Sequence, residues 1–327
     1  MKRFLIINTS FFGDTLLTNP LCRNIKIFYP HSHITFIVNK PFTEVAKYCD
    51  GIDEVIPYDK KGIHHGLKGA WKFYKEYKNH FKLGFDAAFI IYGNERGIVL
   101  ARLFGAKKVY AENQGIINFL LNNPKYIDYH NKTKVQTKNS ILLEQYTHKP
   151  ILELPMKFIP PQSAYQNINV LLKNLNLFSK NKLIAICTTS KRKEKDMPIK
   201  DCQKLIELLS YQGYVSILLG AGKIAENYQN KLSQITNNNF INLVNKTSIS
   251  ELGALLCKCK ALVSVDTGTM HLGLAVNTPT VCLFYIHTKE HLDAWAPEKS
   301  IYNCDILTEN ITVENILTSL NKITEQN

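Results

Sequence analysis

Short apolar runs recur along the chain, and most of them are continuous rather than alternating with polar residues. Such runs of Ile, Val, Leu and Phe are typical of parallel strands, which are buried on both faces. Helix-length segments separate most of the runs, so the pattern predicts an α/β fold with doubly wound parallel sheets. The predicted strands are Phe4–Ile7, Ile34–Val38, Asp53–Tyr58, Ala87–Tyr92, Lys108–Tyr110, Leu183–Cys187, Val215–Leu219, Phe240–Val244, Ala261–Val265 and Thr280–Phe284.

The strand–helix pattern stops near residue 150 and then restarts. Four prolines lie between Pro150 and Pro161, and proline continues neither a helix nor a central strand. We therefore expect two Rossmann-like domains, residues 1–155 and residues 156–327, that face a cleft at the carboxyl ends of their strands. Packing of the last helix back on the first domain is left open.

The chain is basic, with 40 Lys and Arg residues against 27 Asp and Glu residues among its 327 positions. The excess lies mainly in the first 150 residues, which hold 22 basic and 12 acidic residues. A basic half predicts an anionic partner: nucleic acid, an anionic lipid surface or a phosphorylated substrate. The fractions of apolar residues (45%) and charged residues (20%) exclude disordered and collagen-like proteins.

The eight cysteines lie mostly inside apolar runs, as buried thiols do. Cys257 and Cys259 have no second pair or nearby His at the spacing of a zinc site. Only four apolar residues lie between Arg3 and Asn8, too few for a signal peptide, and no apolar stretch approaches the ~18 residues of a membrane span. We expect a cytoplasmic protein with reduced cysteines, able to lie peripherally on the inner face of a membrane.

A carboxylate follows the first predicted strand, in the segment from Asn8 to Asp14. Gly13 allows the backbone there to approach a ligand closely. Asp14 has two interpretations. It can cap the helix that begins near Thr15, or it can take a proton from a substrate hydroxyl. The two roles do not exclude each other.

Hydroxyl and ammonium groups follow the first predicted strand of the second half. Thr188 and Thr189 come directly after one strand and lead into a basic loop that contains Lys195. These groups suit a phosphate or pyrophosphate, although a solvated basic loop accounts for them equally well. The next strand ends in a glycine turn that leads into a helix carrying Glu226, which is a weak signal by itself.

The most informative segment is the strand Ala261–Val265 followed by Asp266, Thr267, Gly268 and, near the first turn of a helix, His271. Backbone N–H groups and the Thr267 hydroxyl can hold a phosphate there, and His271 can donate to a leaving phosphate oxygen. The alternative is a His that is hydrogen-bonded inside the helix–sheet interface. The sequence has no P-loop, no G-x-S-x-G and no D-x-D motif, so neither acyl chemistry nor a catalytic metal is predicted.

A lysine-rich segment over residues 68–82 predicts an amphipathic helix with one cationic face. The face is either simply solvated or in contact with an anionic surface. Its lysines are Lys68, Lys72, Lys75, Lys78 and Lys82, and Lys60 and Lys61 precede the helix.

Six segments, spread over nearly the whole chain, form a recognisable combination. They are Thr9-Ser-x-x-Gly-Asp14, Thr188-Thr189 with Lys195-x-x-Pro198, Gly220 to Glu226, Lys246 to Leu252, Val265-Asp-Thr-Gly-x-x-His271 and Trp295-x-Pro297. In this order and spacing, the chain resembles glycosyltransferase family 9, the bacterial lipopolysaccharide heptosyltransferases.

The resemblance implies a GT-B fold and an inverting, metal-independent transfer that needs no cofactor. The donor it implies is ADP-L-glycero-D-manno-heptose, and the acceptor is a Kdo or heptose of the inner core attached to lipid A. Two alternatives stay open: a family 9 enzyme that uses another nucleotide sugar or acceptor, and a non-catalytic basic binding protein. Nucleic acid is not an expected partner.

The resemblance also implies a role for individual residues. Asp14 would be the general base, and Asp266 would contact the donor sugar. The donor diphosphate would be bound by Thr188, Thr189, Lys195, Thr267, Gly268 and His271, the ribose and adenine by Glu226 and Thr247, and the acceptor by Ser10, Gly13, Lys60, Lys61 and Lys72.

Overall fold

The computed structural model describes residues 1–93, 95–112, 115–122, 134–177, 182–236, 240–286 and 288–325. The chain divides into two compact units, Met1–Lys157 and Phe158–Asn327. The division falls inside the proline-rich segment. Both units are parallel α/β sheets, as the apolar runs predict.

In the described part of the first unit, five parallel strands form one sheet in the order β3-β2-β1-β4-β5. The strands are β1 (Arg3–Asn8), β2 (His33–Asn39), β3 (Glu54–Tyr58), β4 (Phe85–Ile90) and β5 (Ala106–Ala111). The helices are α1 (Phe12–Leu17), α2 (Asn19–Phe28), α3 (Thr43–Tyr48), α4 (Gly66–Tyr77), α5 (Glu95–Leu103) and α6 (Val135–Thr147). The direction of winding reverses between β1 and β4, and ligands bind at such a switch point in open α/β sheets.

The side chains of β1 show why its apolar run is continuous. Phe4 and Ile6 belong to the core on one face of the sheet, whereas Leu5 and Ile7 belong to the core on the other face. All four are almost completely buried. A strand covered on both faces has no solvent-facing positions to fill with polar residues.

In the described part of the second unit, six parallel strands form one sheet in the order β11-β10-β9-β6-β7-β8. They are β6 (Leu183–Cys187), β7 (Val215–Leu219), β8 (Ile241–Asn242), β9 (Ala261–Val265), β10 (Thr280–Leu283) and β11 (Cys304–Leu307). The helices are α7 (Gln162–Asn174), α8 (Ile199–Tyr211), α9 (Gly222–Ile235), α10 (Ile249–Leu256), α11 (Gly268–Ala275), α12 (Lys289–Trp295) and α13 (Val313–Glu325). Here the winding reverses between β6 and β9.

The last helix, α13, buries its apolar face within the second unit. Val313, Ile316, Leu320 and Ile323 belong to the same core as the side chains of β6 and β9.

Two predicted elements need correction. The helix expected over residues 68–82 is α4, which ends at Tyr77, so Lys78 and Lys82 lie beyond it. The strand expected over Phe240–Val244 is reduced to the two residues of β8. In addition, β11 was not predicted.

All eight cysteines fall within the described ranges, where each is free and all except the partly exposed Cys257 are buried. Burial raises the pKa of the Cys22 thiol well above its ordinary value. A fully buried thiol with a raised pKa, such as Cys22, is a packing group rather than a nucleophile. None of the helices in the described ranges is both long enough and apolar enough to cross a membrane.

Candidate active site

A buried asparagine shapes the turn between β1 and α1. The side-chain amide of Asn8 donates to Oγ1 of Thr18 (2.9 Å) and to the carbonyl of Asp14 (3.1 Å). Its Oδ1 accepts the backbone N–H of Ser10 (3.0 Å). Because Asn8 is fully buried, these bonds fix the path of the loop at the switch point of the first sheet.

Asp14 lies in the first turn of α1, and both of its carboxylate oxygens accept hydrogen bonds. The sequence predicts a helix that begins near Thr15 with Asp14 as its cap, but the helix begins at Phe12 and Asp14 is its third residue. From there its Oδ2 accepts the backbone N–H of Phe11 (3.0 Å), the residue that precedes the helix. The Tyr92 hydroxyl donates to Oδ1 (2.9 Å). The carboxylate is partly exposed and retains lone pairs that can accept a substrate hydroxyl.

Tyr92 is a site residue that sequence reasoning missed. The predicted strand included it, but β4 ends at Ile90 and Tyr92 lies in the following 3₁₀ turn, Ile91–Gly93. Its backbone is left-handed, with φ 58° and ψ 26°. Tyr92 is 38% exposed, but partial desolvation of its phenol and the adjacent charge of Asp14 raise the pKa of Tyr92, so the phenol keeps its proton.

Of the predicted acceptor residues, the structure brings Ser10, Gly13 and Lys60 near the end of β1. The Lys60 ammonium lies 3.4 Å from the carbonyl oxygen of Thr9. Lys61 and Lys72 are exposed, the first in the loop before α4 and the second on its outer face.

The switch point of the second sheet lies between β6 and β9, which pair from Ile184↔Ala261 to Cys187↔Ser264. Thr188 and Thr189 follow β6 and are buried, and Asp266 follows β9 and is buried as well. The residues that the motifs singled out in two distant segments are thus neighbours at one edge of the sheet.

Lys195, Asp266 and His291 converge at this edge. The Lys195 ammonium donates to Oδ2 of Asp266. Nε2 of His291 lies 2.8 Å from the same oxygen and 3.4 Å from Nζ of Lys195. The side chains are 13%, 8% and 15% exposed, so this charged cluster is largely shielded from water.

The electrostatics of the cluster keep Asp266 ionised. Burial by itself would raise the pKa of this carboxyl. The hydrogen bond from Lys195, the interaction with His271 and the contact with His291 outweigh burial and hold the pKa of Asp266 below its usual value.

The N-terminus of the helix that follows β9 lies at the same edge. α11 begins at Gly268, directly after Thr267, and the first N–H groups of a helix have no partner within the helix. Such an N-terminus attracts anions. His271 is buried in the first turn of α11.

Glu226 and Thr247 follow the strands on the other side of β6. Glu226 lies in α9, partly exposed, with its carboxylate 3.3 Å from Nζ of Lys223. Thr247 immediately precedes Ser248, whose hydroxyl accepts the N–H of Glu251 and caps α10. The structure therefore places both residues in loops or helices that leave the carboxyl ends of β7 and β8.

Within the described ranges, no group of three or more His, Cys, Asp and Glu side chains is arranged to hold a metal ion. The first unit carries the Asp14 carboxylate at the end of β1, and the second unit carries the Lys195–Asp266–His291 cluster at the edge of its own sheet.

The arrangement of the chain is shared with solved glycosyltransferases of the GT-B fold. The family 9 glycosyl transferase of Veillonella parvula superposes with a TM-score of 0.89 at 20% identity, covering 100% of this chain and 98% of that one. The Escherichia coli ADP-heptose lipopolysaccharide heptosyltransferase II gives a TM-score of 0.80 at 19% identity, covering 100% and 99%.

The family follows from the sequence comparison. Residues 85–315 match the family model described as "Glycosyltransferase family 9 (heptosyltransferase)", so the protein is an enzyme of the glycosyltransferase class. The chain belongs to glycosyltransferase family 9. One curated relative, the lipooligosaccharide heptosyltransferase 2 of Haemophilus influenzae, is 26% identical over 298 residues, which cover 86% of this chain and 82% of the relative.

Proposed function

We propose that the protein transfers heptose from ADP-L-glycero-D-manno-heptose to a Kdo or heptose hydroxyl of the lipopolysaccharide inner core. Family membership and the names of the similar heptosyltransferases support the sugar and the acceptor class. The observation that carries the proposal is the cluster of Lys195, Asp266 and His291 beside the N-terminus of α11. It offers a cation and backbone donors to a leaving diphosphate, and a carboxylate to sugar hydroxyls.

Each part of the donor has a counterpart at the edge of the second sheet. Thr188, Thr189, Thr267, Gly268, His271 and Lys195 would bind the diphosphate, and Asp266 would accept hydrogen bonds from the sugar. Glu226, at the carboxyl end of β7, would accept the ribose hydroxyls, and Thr247 would line the adenine. In this proposal, Lys195 moves part of its interaction from Asp266 to the phosphates when the donor binds.

The transfer is a single displacement that inverts the anomeric centre. Asp14 takes the proton of the acceptor hydroxyl as its oxygen forms a bond to C1 of the heptose. The bond from C1 to the β-phosphate oxygen breaks, and its electron pair leaves with ADP. Lys195 and the N–H groups of α11 stabilise the charge that develops on that oxygen.

In this proposal these groups supply the charge stabilisation without a divalent ion, because they offer an ammonium group and oriented dipoles to the leaving diphosphate. We expect transfer to proceed at an undiminished rate after treatment with a chelator. Loss of transfer in the chelator, restored by one divalent metal, would contradict this part of the proposal.

The donor is tested by thermal unfolding of the protein with ADP, UDP, GDP, CMP and dTDP, each without added metal. A ligand at 100 times its dissociation constant stabilises the folded state by about 2.7 kcal/mol. We expect a clear rise in melting temperature with ADP alone. A rise with another nucleotide instead would indicate a different nucleotide sugar, and no rise with any of them would contradict the enzymatic role.

The acceptor is lipid-linked, and we propose that the protein meets it peripherally, at the cytoplasmic face of the inner membrane. Ser10, Gly13, Lys60, Lys61 and Lys72 would contact the acceptor. Two features of α4 support the surface contact. Lys68, Lys72 and Lys75 are exposed on its outer face. Beside them, an open and mainly apolar cavity of about 230 Å³ lies between α4 and α5.

Three large apolar side chains at this cavity are exposed to solvent. Leu67 is 79% exposed, Trp71 51% and Leu103 42%. Lysines that flank exposed apolar side chains are typical of surfaces that bind anionic lipid.

The surface contact is tested by flotation with vesicles of anionic or of neutral phospholipid. We expect binding to anionic vesicles only, and its loss in the Lys68/Lys72/Lys75→Glu variant. The matched control changes three exposed lysines of the second unit to Glu, namely Lys173, Lys200 and Lys231. Equal loss in both variants would indicate that overall charge, not this surface, governs binding.

A further inference from the structure

Tyr92, in the turn after β4, is hydrogen-bonded to Asp14, the proposed base after β1. Tyr92 and Asp14 are 78 positions apart in the chain, and the strands before them are paired from Phe4↔Ala87 to Ile7↔Ile90. The Tyr92 hydroxyl and Oδ1 of Asp14 are 2.9 Å apart. The contact therefore joins the two strand ends at the switch point of the first sheet.

We propose that Tyr92 is a positioning residue that holds the carboxylate of Asp14 in the orientation needed to accept a proton. This inference rests on the proposed role of Asp14 as the base. The Phe11 N–H holds one carboxylate oxygen and the Tyr92 hydroxyl holds the other, so rotation of the carboxylate would break both bonds. A carboxylate has about four acceptor sites, and the remaining ones stay available to the acceptor hydroxyl.

The backbone conformation of Tyr92 indicates that this position needs a tyrosine side chain. Its φ of 58° lies in the left-handed region, which is uncommon for a bulky residue and is adopted readily by Gly or Asn. Strained backbone of this kind is concentrated at functional sites, where the surrounding structure maintains it. At Tyr92, the residue with the strained backbone is the one whose hydroxyl contacts the Asp14 carboxylate.

The protonation state of Tyr92 suits the role. Burial, the charge of Asp14 and, more weakly, the charge of Glu112 raise the pKa of the phenol. Tyr92 therefore donates to Asp14 throughout the neutral pH range and does not compete for the proton of the acceptor.

The test compares steady-state kinetics of wild type and Tyr92→Phe, which removes only the hydroxyl. A hydrogen bond to a charged group corresponds to a rate factor of about tenfold to a hundredfold. We expect kcat to fall by about that factor, whereas the KM for the lipid-linked acceptor and the Kd for ADP change by less than about threefold. Tyr211→Phe, at an 88% exposed tyrosine of the second unit, makes the same chemical change and is expected to leave kcat unchanged.

A double-mutant cycle with Asp14→Ala separates positioning from a structural contribution. If Tyr92 acts through Asp14, the Tyr92→Phe change has no further effect on kcat once the carboxylate is gone. An undiminished kcat in Tyr92→Phe, alongside a slow Asp14→Ala enzyme, would overturn the positioning role and leave the base in place. An undiminished kcat in Asp14→Ala would overturn the base itself.

The melting temperature of each variant controls for folding. A Tyr92→Phe enzyme that unfolds well above the assay temperature and still binds ADP is folded, so its kcat reports on the site. Equal rate losses from Tyr92→Phe in the presence and absence of the Asp14 carboxylate would contradict the proposal, because a structural effect acts in both backgrounds.

Discussion

Nε2 of His291 lies 2.8 Å from Oδ2 of Asp266, although the two residues come from different elements of the second unit. Asp266 follows β9, and His291 lies in the first turn of α12. The contact anchors α12 to the edge of the sheet, beside the ammonium of Lys195. An imidazole is thereby added to the donor site proposed above.

We expect His291→Ala to weaken binding of the nucleotide-sugar donor about tenfold, because Asp266 loses a hydrogen-bonding partner that helps to orient it. Isothermal titration calorimetry with ADP-heptose measures the change. His31→Ala, at an exposed histidine of the first unit, is the control and is expected to bind normally. Unchanged affinity for the donor in His291→Ala would show that Lys195 alone is enough to orient Asp266.

The central strands of the second sheet were predictable from the sequence, because each is a continuous run of mainly apolar residues. β6, β7 and β9 coincide with the predicted runs. β11 was not predicted, because it has only four residues and Asp305 interrupts their apolar pattern. Burial of that charge depends on Lys299 and Ser319, which are outside the strand, and a local pattern does not reveal them.

The residues of the candidate site likewise fall into those that the sequence predicts and those that it does not. Asp14, Lys195 and Asp266 belong to motifs at strand ends, so their types and positions could be recognised. Tyr92 and His291 do not belong to such motifs. They reach the site through a left-handed turn and through the docking of α12, which are features of the folded chain rather than of a short segment.

Lys195→Met is expected to lower the affinity for ADP by at least about tenfold, because it removes the cation nearest the proposed diphosphate position and leaves Asp266 with less compensation for its burial. The matched control is Lys193→Met, at an exposed position in the same 3₁₀ turn. Calorimetric titration with ADP distinguishes the two variants. Equal affinities would argue against a role of Lys195 in binding the donor.

Asp305 gives the second unit a pH-dependent stability. Burial by itself would raise the pKa of this carboxyl, but hydrogen bonds from Lys299 and Ser319 and the charges of Lys299 and Lys322 outweigh it and hold the pKa below its usual value. A carboxyl with a depressed pKa stabilises the folded state above the unfolded-state pKa of about 3.9. That contribution is lost as the pH falls through the lower, folded-state value.

We therefore expect Asp305→Asn to destabilise the protein at pH 7 by about 1–3 kcal/mol, and the difference from wild type to narrow below about pH 4. Urea unfolding followed at several pH values measures both effects. A difference that stays constant down to the lowest pH would show that the charge of Asp305 does not contribute.

Gly220 is required where β7 turns towards α9. A Cβ atom built there would lie 2.6 Å from the Cβ of Ala225, which is closer than real contacts allow. We expect Gly220→Ala to displace α9, which carries Glu226, and so to weaken ADP binding and destabilise the protein by about 1–3 kcal/mol. Adding Ala225→Gly removes the clash and should restore part of the affinity. Failure of this second change to restore any affinity would point to a cause other than the clash.

The central claim is heptosyl transfer from ADP-heptose with Asp14 as the base. Mass spectrometry of a heptose-deficient core glycolipid, after incubation with ADP-heptose and either wild type or Asp14→Ala, tests it most directly. We expect wild type to add one heptosyl residue and Asp14→Ala to do so about 10²- to 10⁴-fold more slowly, with ADP binding intact. No heptosyl product with wild type, or equal rates for the two proteins, would contradict the account.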